Sequence, residues 1–363
     1  MEAQPTLTDG SCRHPYPGVM DLSSACRWQP PASWRRFTVV ESHTGGEPFR
    51  VVVDGLPEIP GETVLERRRF AMDHLDDLRR ALMWEPRGHA DMYGGWVGPP
   101  TEPDGDLSVL FCHNEGFSTM CGHGIIALAK VVFDTGMLPR REGDNLLRVD
   151  TPAGRVIAVA SVADGVCTRV RFRNVASFAA DLDATVEVPS WGTVRYDLAF
   201  GGAFYAYVDA ASVGVELDDA AGLVAAGRAI KAAIVAGRSI DHPTEPDLGF
   251  LYGVIFTGPP QDPAHHSRNV CVFADGEVDR SPTGTGVSGR LALLHARGVL
   301  DVGGSIAVES IVGSVFEGTV AETTTVGNLP AVVPEISGSA HIVGRSELWI
   351  DPSDALNPGF FLR

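Results

Sequence analysis

Apolar and polar positions alternate in short runs over most of this chain, the period-two pattern of strands half buried in a sheet. One such run, 36–43, breaks at Thr44-Gly45-Gly46-Glu47-Pro48 and resumes at 49–53, which predicts a hairpin or a glycine-hinged strand pair. Further strands are expected at 107–112, around Leu147 and Val149, and at 156–162, 166–172, 186–200, 203–208, 249–256, 270–274, 305–312, 314–323 and 340–348. Helical spacing predicts an amphipathic surface helix over 61–82, where Leu65, Phe70, Met72, Leu75, Leu78 and Leu82 recur among many charges. An alanine-rich helix over about 218–236 mirrors it. Residues 1–34 are rich in Pro, Ser and polar side chains without periodicity and read as a flexible extension.

Two more helices start at glycine-rich turns, and these turns are copies of each other. Met120-Cys121-Gly122-His123-Gly124-Ile125-Ile126, running on to Gly136-Met137-Leu138, matches Pro282-Thr283-Gly284-Thr285-Gly286-Val287-Ser288, running on to Gly298-Val299-Leu300, at an offset of 162 without a gap. Apolar Ile125, Leu128, Ala129 and Val132 in one copy, and Val287, Leu291 and Leu294 in the other, predict the central helix of a lobe in each case. The order strands, surface helix, strand, glycine turn, buried helix, strands thus occurs twice, which predicts two similar α/β (α+β) lobes related by a pseudo-twofold axis.

Composition narrows the partners. A chain of 363 residues with 44% hydrophobic content can bury ample core, and its length suggests two domains. The net charge of -17 argues against nucleic acid or an anionic membrane, since either asks for a basic face. No apolar run approaches the roughly 20 residues of a spanning helix, and residues 1–36 lack a signal-type apolar segment, so a cytoplasmic protein is expected. Six cysteines without a CxxC pair, and eleven histidines without HExxH spacing, give no support to a disulfide framework or a metal site.

The repeated turns carry the candidate chemistry. Glycines let backbone approach a ligand closely, and the unpaired amides at a helix start bind anions, so two facing helix starts would hold a carboxylate. Cys121 stands where the helix dipole favours thiolate and lowers a thiol pKa, and a thiolate can act as a base. Its counterpart in the second copy is the hydroxyl of Thr283.

At these residues the sequence resembles the proline racemase family. The matching stretches are His43-Thr44-Gly45-Gly46-Glu47-Pro48, Arg87-Gly88-His89-Ala90-Asp91-Met92, Met120-Cys121-Gly122-His123-Gly124, Thr151-Pro152-Ala153-Gly154, Asp279-Arg280-Ser281-Pro282-Thr283-Gly284-Thr285-Gly286 and Pro358-Gly359-Phe360. The resemblance implies two pseudo-symmetric diaminopimelate-epimerase-like lobes, each a curved sheet around a central helix, with a small imino acid in the cleft and no cofactor. The last strands of that fold return to the first lobe, so 35–195 with 340–363 is expected to form the lobe of Cys121, and 196–339 that of Thr283. A homodimer is the assembly considered.

Racemases of this family use one cysteine from each lobe, on opposite faces of the α-carbon, and here the second is Thr283. A hydroxyl is too weak an acid to exchange protons as a thiol of pKa about 8.5 does, so two-base inversion gives way to one-base chemistry. If Cys121 removes the α-proton of a proline bearing a hydroxyl on the adjacent carbon, that hydroxyl can leave as water. This is the reaction of the trans-3-hydroxy-L-proline dehydratases, which the Cys/Thr pairing resembles. The resemblance further implies that the amides of Gly122, His123, Gly284 and Thr285 clamp the substrate carboxylate and that Asp279 holds the ring ammonium. The His123 ring either stabilises the Cys121 thiolate or lends only its backbone, and Thr283 either hydrogen-bonds the departing hydroxyl or fills the space of the missing thiol. Arg87, His89 and Asp91 are expected as scaffold, and Cys271, twelve residues before Thr283, as core. The competing readings are a 4-hydroxyproline epimerase or proline racemase, which needs another acid on the Thr283 face, and a non-catalytic amino-acid-binding homologue.

Overall fold

The computed structural model describes residues 22–362. Its strands are β1 (Arg35–Thr44), β2 (Glu47–Asp54), β3 (Tyr93–Gly98), β4 (Leu107–His113), β5 (Gly143–Thr151), β6 (Gly154–Ala163), β7 (Val166–Arg173), β8 (Phe178–Val188), β9 (Gly192–Phe200), β10 (Phe204–Asp209), β11 (Leu251–Gly258), β12 (Ser267–Phe273), β13 (Glu277–Val278), β14 (Ser305–Glu309), β15 (Val315–Val326), β16 (Leu329–Gly338) and β17 (Ala340–Ile350). The helices are α1 (Leu22–Arg27), α2 (Val64–His74), α3 (Asp76–Met83), α4 (Gly122–Asp134), α5 (Ala220–Gly237) and α6 (Gly284–Ala296). Helices α4 and α6 begin and end 162 residues apart, the offset of the sequence repeat.

Strand pairing shows the same duplication. One series runs β17, β1, β2, β3, β4, β5, β6, β7, with β2–β3 and β4–β5 parallel and the other pairs antiparallel. The other runs β8, β9, β10, β11, β12, β14, β15, β16, with β10–β11 and β12–β14 parallel and the rest antiparallel. The two series agree pair by pair in sense, and one antiparallel contact between β7 and β16 joins them. Each series wraps one central helix: α4 packs on β1, β2, β6, β7 and β17, and α6 on β8, β9, β15 and β16. Every residue of α4 from Gly122 to Phe133 is buried, including Lys130, whose ammonium is held by Asp134 and the Cys167 carbonyl at 2.7 Å each.

Residues 340–350 pair with β1. Residue 195 lies within β9, and β8 and β9 pack on α6. Instead of one helix over 61–82 there are two. Thr63 and Glu66 form a reciprocal cap at the start of α2, the chain leaves helical geometry at Leu75 (φ -126°, ψ 14°), and Asp76 and Asp77 favour a fresh N-terminus for α3. The extension is not wholly detached: the Trp28 ring lies 5.9 Å from that of Trp34 and 5.2 Å from that of Trp349 on β17, while residues 1–21 lie outside the described residues. Helix α5 is long and apolar enough to cross a membrane by length and composition, but Leu223, Ala226, Ile230 and Ile234 bury one face, and the helix packs on β8, β11 and β12.

Candidate active site

The starts of α4 and α6 meet at the junction of the two lobes. A β-carbon built on Gly122 would stand 2.6 Å from the Gly284 Cα, and one on Gly284 2.8 Å from the Gly122 Cα, so the backbones touch and only glycine fits. Gly122, His123, Gly284 and Thr285 are the first residues of their helices, and their amides have no intrahelical acceptor. Facing helix starts of this kind present four donors and two positive dipole ends to one small space.

That space is a cavity of about 20 Å³, room for about one water. It is lined by all seven residues expected from the sequence, Cys121, Gly122, His123, Asp279, Thr283, Gly284 and Thr285, and also by Tyr93, Met120, Tyr205, Tyr252, Cys271 and Phe273.

The two equivalent positions are built differently. Cys121 has ordinary extended geometry (φ -145°, ψ 108°) and caps its own helix, its sulfur accepting from the Gly124 amide at 3.2 Å. Thr283 has a left-handed backbone (φ 65°, ψ 92°), a strained state for a β-branched residue. Its amide donates to Ser281 Oγ at 3.1 Å, while its buried hydroxyl makes no hydrogen bond of normal geometry. That hydroxyl stands beside Asp279 and Cys271, close enough to pull both pKa values below where burial alone would leave them.

Burial decides the charge states in the closed site. It raises the Cys121 thiol well above its ordinary pKa, which outweighs the lowering expected from the helix start; the Gly124 amide and the Tyr93 hydroxyl pull the other way, and Asp279 and Glu47 add to the rise. His123 is lowered by burial to about 3, with Arg280 adding to the fall. Its ring nitrogens lie 3.3 and 3.5 Å from the Cys121 sulfur, and the ring also bonds the Pro48 carbonyl. Edge contacts to Tyr93 (4.8 Å) and Phe49 (5.9 Å) fix its plane, and Thr44 holds its carbonyl at 2.9 Å. The imidazole therefore faces the thiol.

Asp279 is raised to about 6 by burial, against the opposing pull of Ser281, Thr283 and Arg280. Beside it, fully buried Glu47 is raised well above the carboxylate range by burial and by Asp279, although Arg280 donates to it through its amide at 2.8 Å. Arg87 bonds the Ala81 and Asn357 carbonyls and Arg280 bonds the Asp91 carbonyl, all of them backbone acceptors. Cys271 is core, being 1% exposed, but it also forms cavity wall beside Thr283. Its alternation with Phe273 on β12, both facing the cavity, is the signal that sequence reading left unused. Among the described residues there is no group of three or more His, Cys, Asp or Glu side chains placed to hold a metal ion.

The Cys121 thiol and the Thr283 hydroxyl, one from each lobe, line a single buried cavity at two helix starts. The chain belongs to the proline racemase family, whose model, described as proline racemase, matches residues 39–361. It is 46% identical over 331 residues to a 3-hydroxyproline 2-epimerase of Burkholderia multivorans, covering 91% of this chain and 99% of that one. It is equally 46% identical over 331 residues, with the same coverage of 91% and 99%, to a trans-3-hydroxy-L-proline dehydratase of Azospirillum brasilense. Among solved structures, a hydroxyproline epimerase of Agrobacterium vitis with bound trans-4-hydroxy-L-proline superposes with a TM-score of 0.87 at 34% identity, over 91% of this chain and 96% of that one. More distant structures, at 13–14% identity and TM-scores of 0.51–0.53, share the diaminopimelate-epimerase-like fold alone.

Proposed function

We propose that this proline racemase family enzyme dehydrates trans-3-hydroxy-L-proline. The observation that carries the reading is the pairing of Cys121 with Thr283 at equivalent, opposed helix starts, one able to accept a carbon-bound proton and the other not. The four amides hold the carboxylate, Asp279 the ring ammonium, and Cys121 takes the α-proton. The electron pair of the broken C–H bond forms the C2–C3 double bond as hydroxide leaves, so the electrons balance within the substrate and no cofactor is called for. The enamine product, 2,3-dehydroproline, tautomerises to 1-pyrroline-2-carboxylate. The dehydratase among the 46% identical relatives supports this assignment.

A second reading is epimerisation at the α-carbon of 3- or 4-hydroxyproline, and Cys271 favours it. That thiol lines the Thr283 side of the cavity and could supply a proton to the second face. One relative at the same identity is named an epimerase. Incubating the enzyme with trans-3-hydroxy-L-proline, trans-4-hydroxy-L-proline and L-proline in heavy water separates the two readings. Pyrroline-2-carboxylate from the first substrate is expected; α-deuterated epimer without that product would establish epimerisation instead.

A further inference from the structure

We propose that His123 is the proton donor to the departing hydroxyl, on the same side of the substrate ring as Cys121. The inference rests on the reading of Cys121 as the base and adds the stereochemistry of the substrate. In trans-3-hydroxy-L-proline the carboxylate and the hydroxyl lie on opposite faces of the ring. The α-hydrogen and the hydroxyl therefore share a face. A base that reaches the α-hydrogen from Cys121 sits on the face from which the hydroxyl leaves, and the elimination is syn.

Hydroxide departs poorly without a proton, so an acid is needed on that face. Thr283 belongs to the other lobe and, on the reading of one residue per substrate face, stands on the wrong side to supply it. Besides Cys121, two titratable side chains of its lobe line the cavity, Tyr93 and His123. The Tyr93 hydroxyl is engaged with Ser118 and, at 3.1 Å, with Tyr252, and burial raises its pKa well above the ordinary tyrosine value, which makes it a poor acid. His123 has a ring nitrogen 3.3 Å from the Cys121 sulfur and a carbonyl partner in Pro48 to steady a positive ring. Burial opposes the transfer, but His123 is the group placed to take the thiol proton and pass it on.

The protons balance over one turnover. In the resting site sulfur carries a proton and the imidazole is neutral. Transfer from sulfur to the ring gives thiolate and imidazolium. The thiolate takes the α-proton, the C2–C3 double bond forms, the C3–O bond breaks, and the imidazolium protonates the leaving oxygen to give water. Sulfur is again protonated and the ring neutral, so the α-proton remains on Cys121 until the next cycle.

The test compares two substrates that differ only in the leaving group. Fluoride leaves trans-3-fluoro-L-proline as an anion and does not require a proton. In His123→Gln both eliminations are expected to slow, because the ring also takes the thiol proton, but water elimination from trans-3-hydroxy-L-proline is expected to fall about 100-fold further than fluoride release. Equal loss of both, or loss of neither, overturns the proposal. Cys121→Ala is expected to abolish both; if it keeps fluoride release, the reading of Cys121 as base fails, whatever His123 does. The unaltered enzyme gives a check that needs no folded variant: cis-3-hydroxy-L-proline, whose hydroxyl lies on the Thr283 face, should be dehydrated at least about 100-fold more slowly than the trans isomer. Comparable rates would put the acid on the wrong face for His123.

Discussion

Gly122 and Gly284 close the site by direct backbone contact, each so near the other that a single added methyl would overlap the opposing Cα. The two lobes meet glycine against glycine, and the amides at the two helix starts converge because nothing stands between them. Gly122→Ala should leave each lobe folded but hold the helix starts apart. A misplacement of about 1 Å at reacting groups can cost roughly 100-fold in rate, and a loss of that size in kcat/KM is expected with an unchanged circular dichroism spectrum. Wild-type turnover in this variant would mean that the closed contact is not the catalytic geometry.

Cys121→Ser replaces a proton acceptor of thiol strength by a hydroxyl, at a position where sulfur also caps α4 through the Gly124 amide. Serine caps helices well, so stability should hold while dehydration falls roughly 1,000-fold. Substantial residual turnover, measured as pyrroline-2-carboxylate formed per enzyme, would remove Cys121 from the base role.

The duplication was legible in the sequence because its glycines serve a contact that admits no other residue, and the helices fall at the offset those glycines predicted. What hid from it was set by neighbours distant in the chain. Strand β16 contains Pro330 and Pro334, which break the apparent strand pattern, and it gains its place by pairing with β7 and β15. Strand β3 opens with Tyr93-Gly94-Gly95-Trp96, a turn-like string, yet Gly94 and Gly95 are needed because a β-carbon would strike the Arg50 carbonyl oxygen at 2.7 Å or the Phe49 ring at 2.8 Å. Cys121 shows the limit for chemistry: local position favours the thiolate, but burial, a property of the closed pair of lobes, pushes the pKa the other way.

Thr283→Cys restores a thiol to the second lobe at a left-handed backbone position that any side chain other than glycine finds strained. Cysteine lacks the β-branch, so the exchange should not worsen that strain. The variant should wash solvent deuterium into the α-position of L-proline and yield some D-proline, as read by mass spectrometry and chiral chromatography. Failure to exchange would mean that residue 283 does not face the α-carbon.

Asp279 supplies the last prediction, because its shift acts on binding and on stability in opposite directions. Its pKa in the folded protein is raised to about 6, so the carboxylate that would hold the substrate ammonium is lost as the pH falls through about 6, and kcat/KM should decline there with a slope of one. Asp279→Asn should remove that inflection and weaken the free-energy gain from substrate by about 2 kcal/mol or more, since one member of a buried charge pair is gone. For stability the sign is reversed. The unfolded carboxyl ionises near pH 4 and the folded one near 6, so between these values the folded state holds a proton that the unfolded state has released. Stability is thereby lost as the pH rises through this window, by an order of roughly 3 kcal/mol for a shift of about two units. Asp279→Asn escapes that loss, so its Tm relative to wild type should be higher at pH 8 than at pH 4, measured by calorimetry on the substrate-free proteins. A Tm difference independent of pH would show that Asp279 ionises in the folded protein where it does in the unfolded chain, with no upward shift.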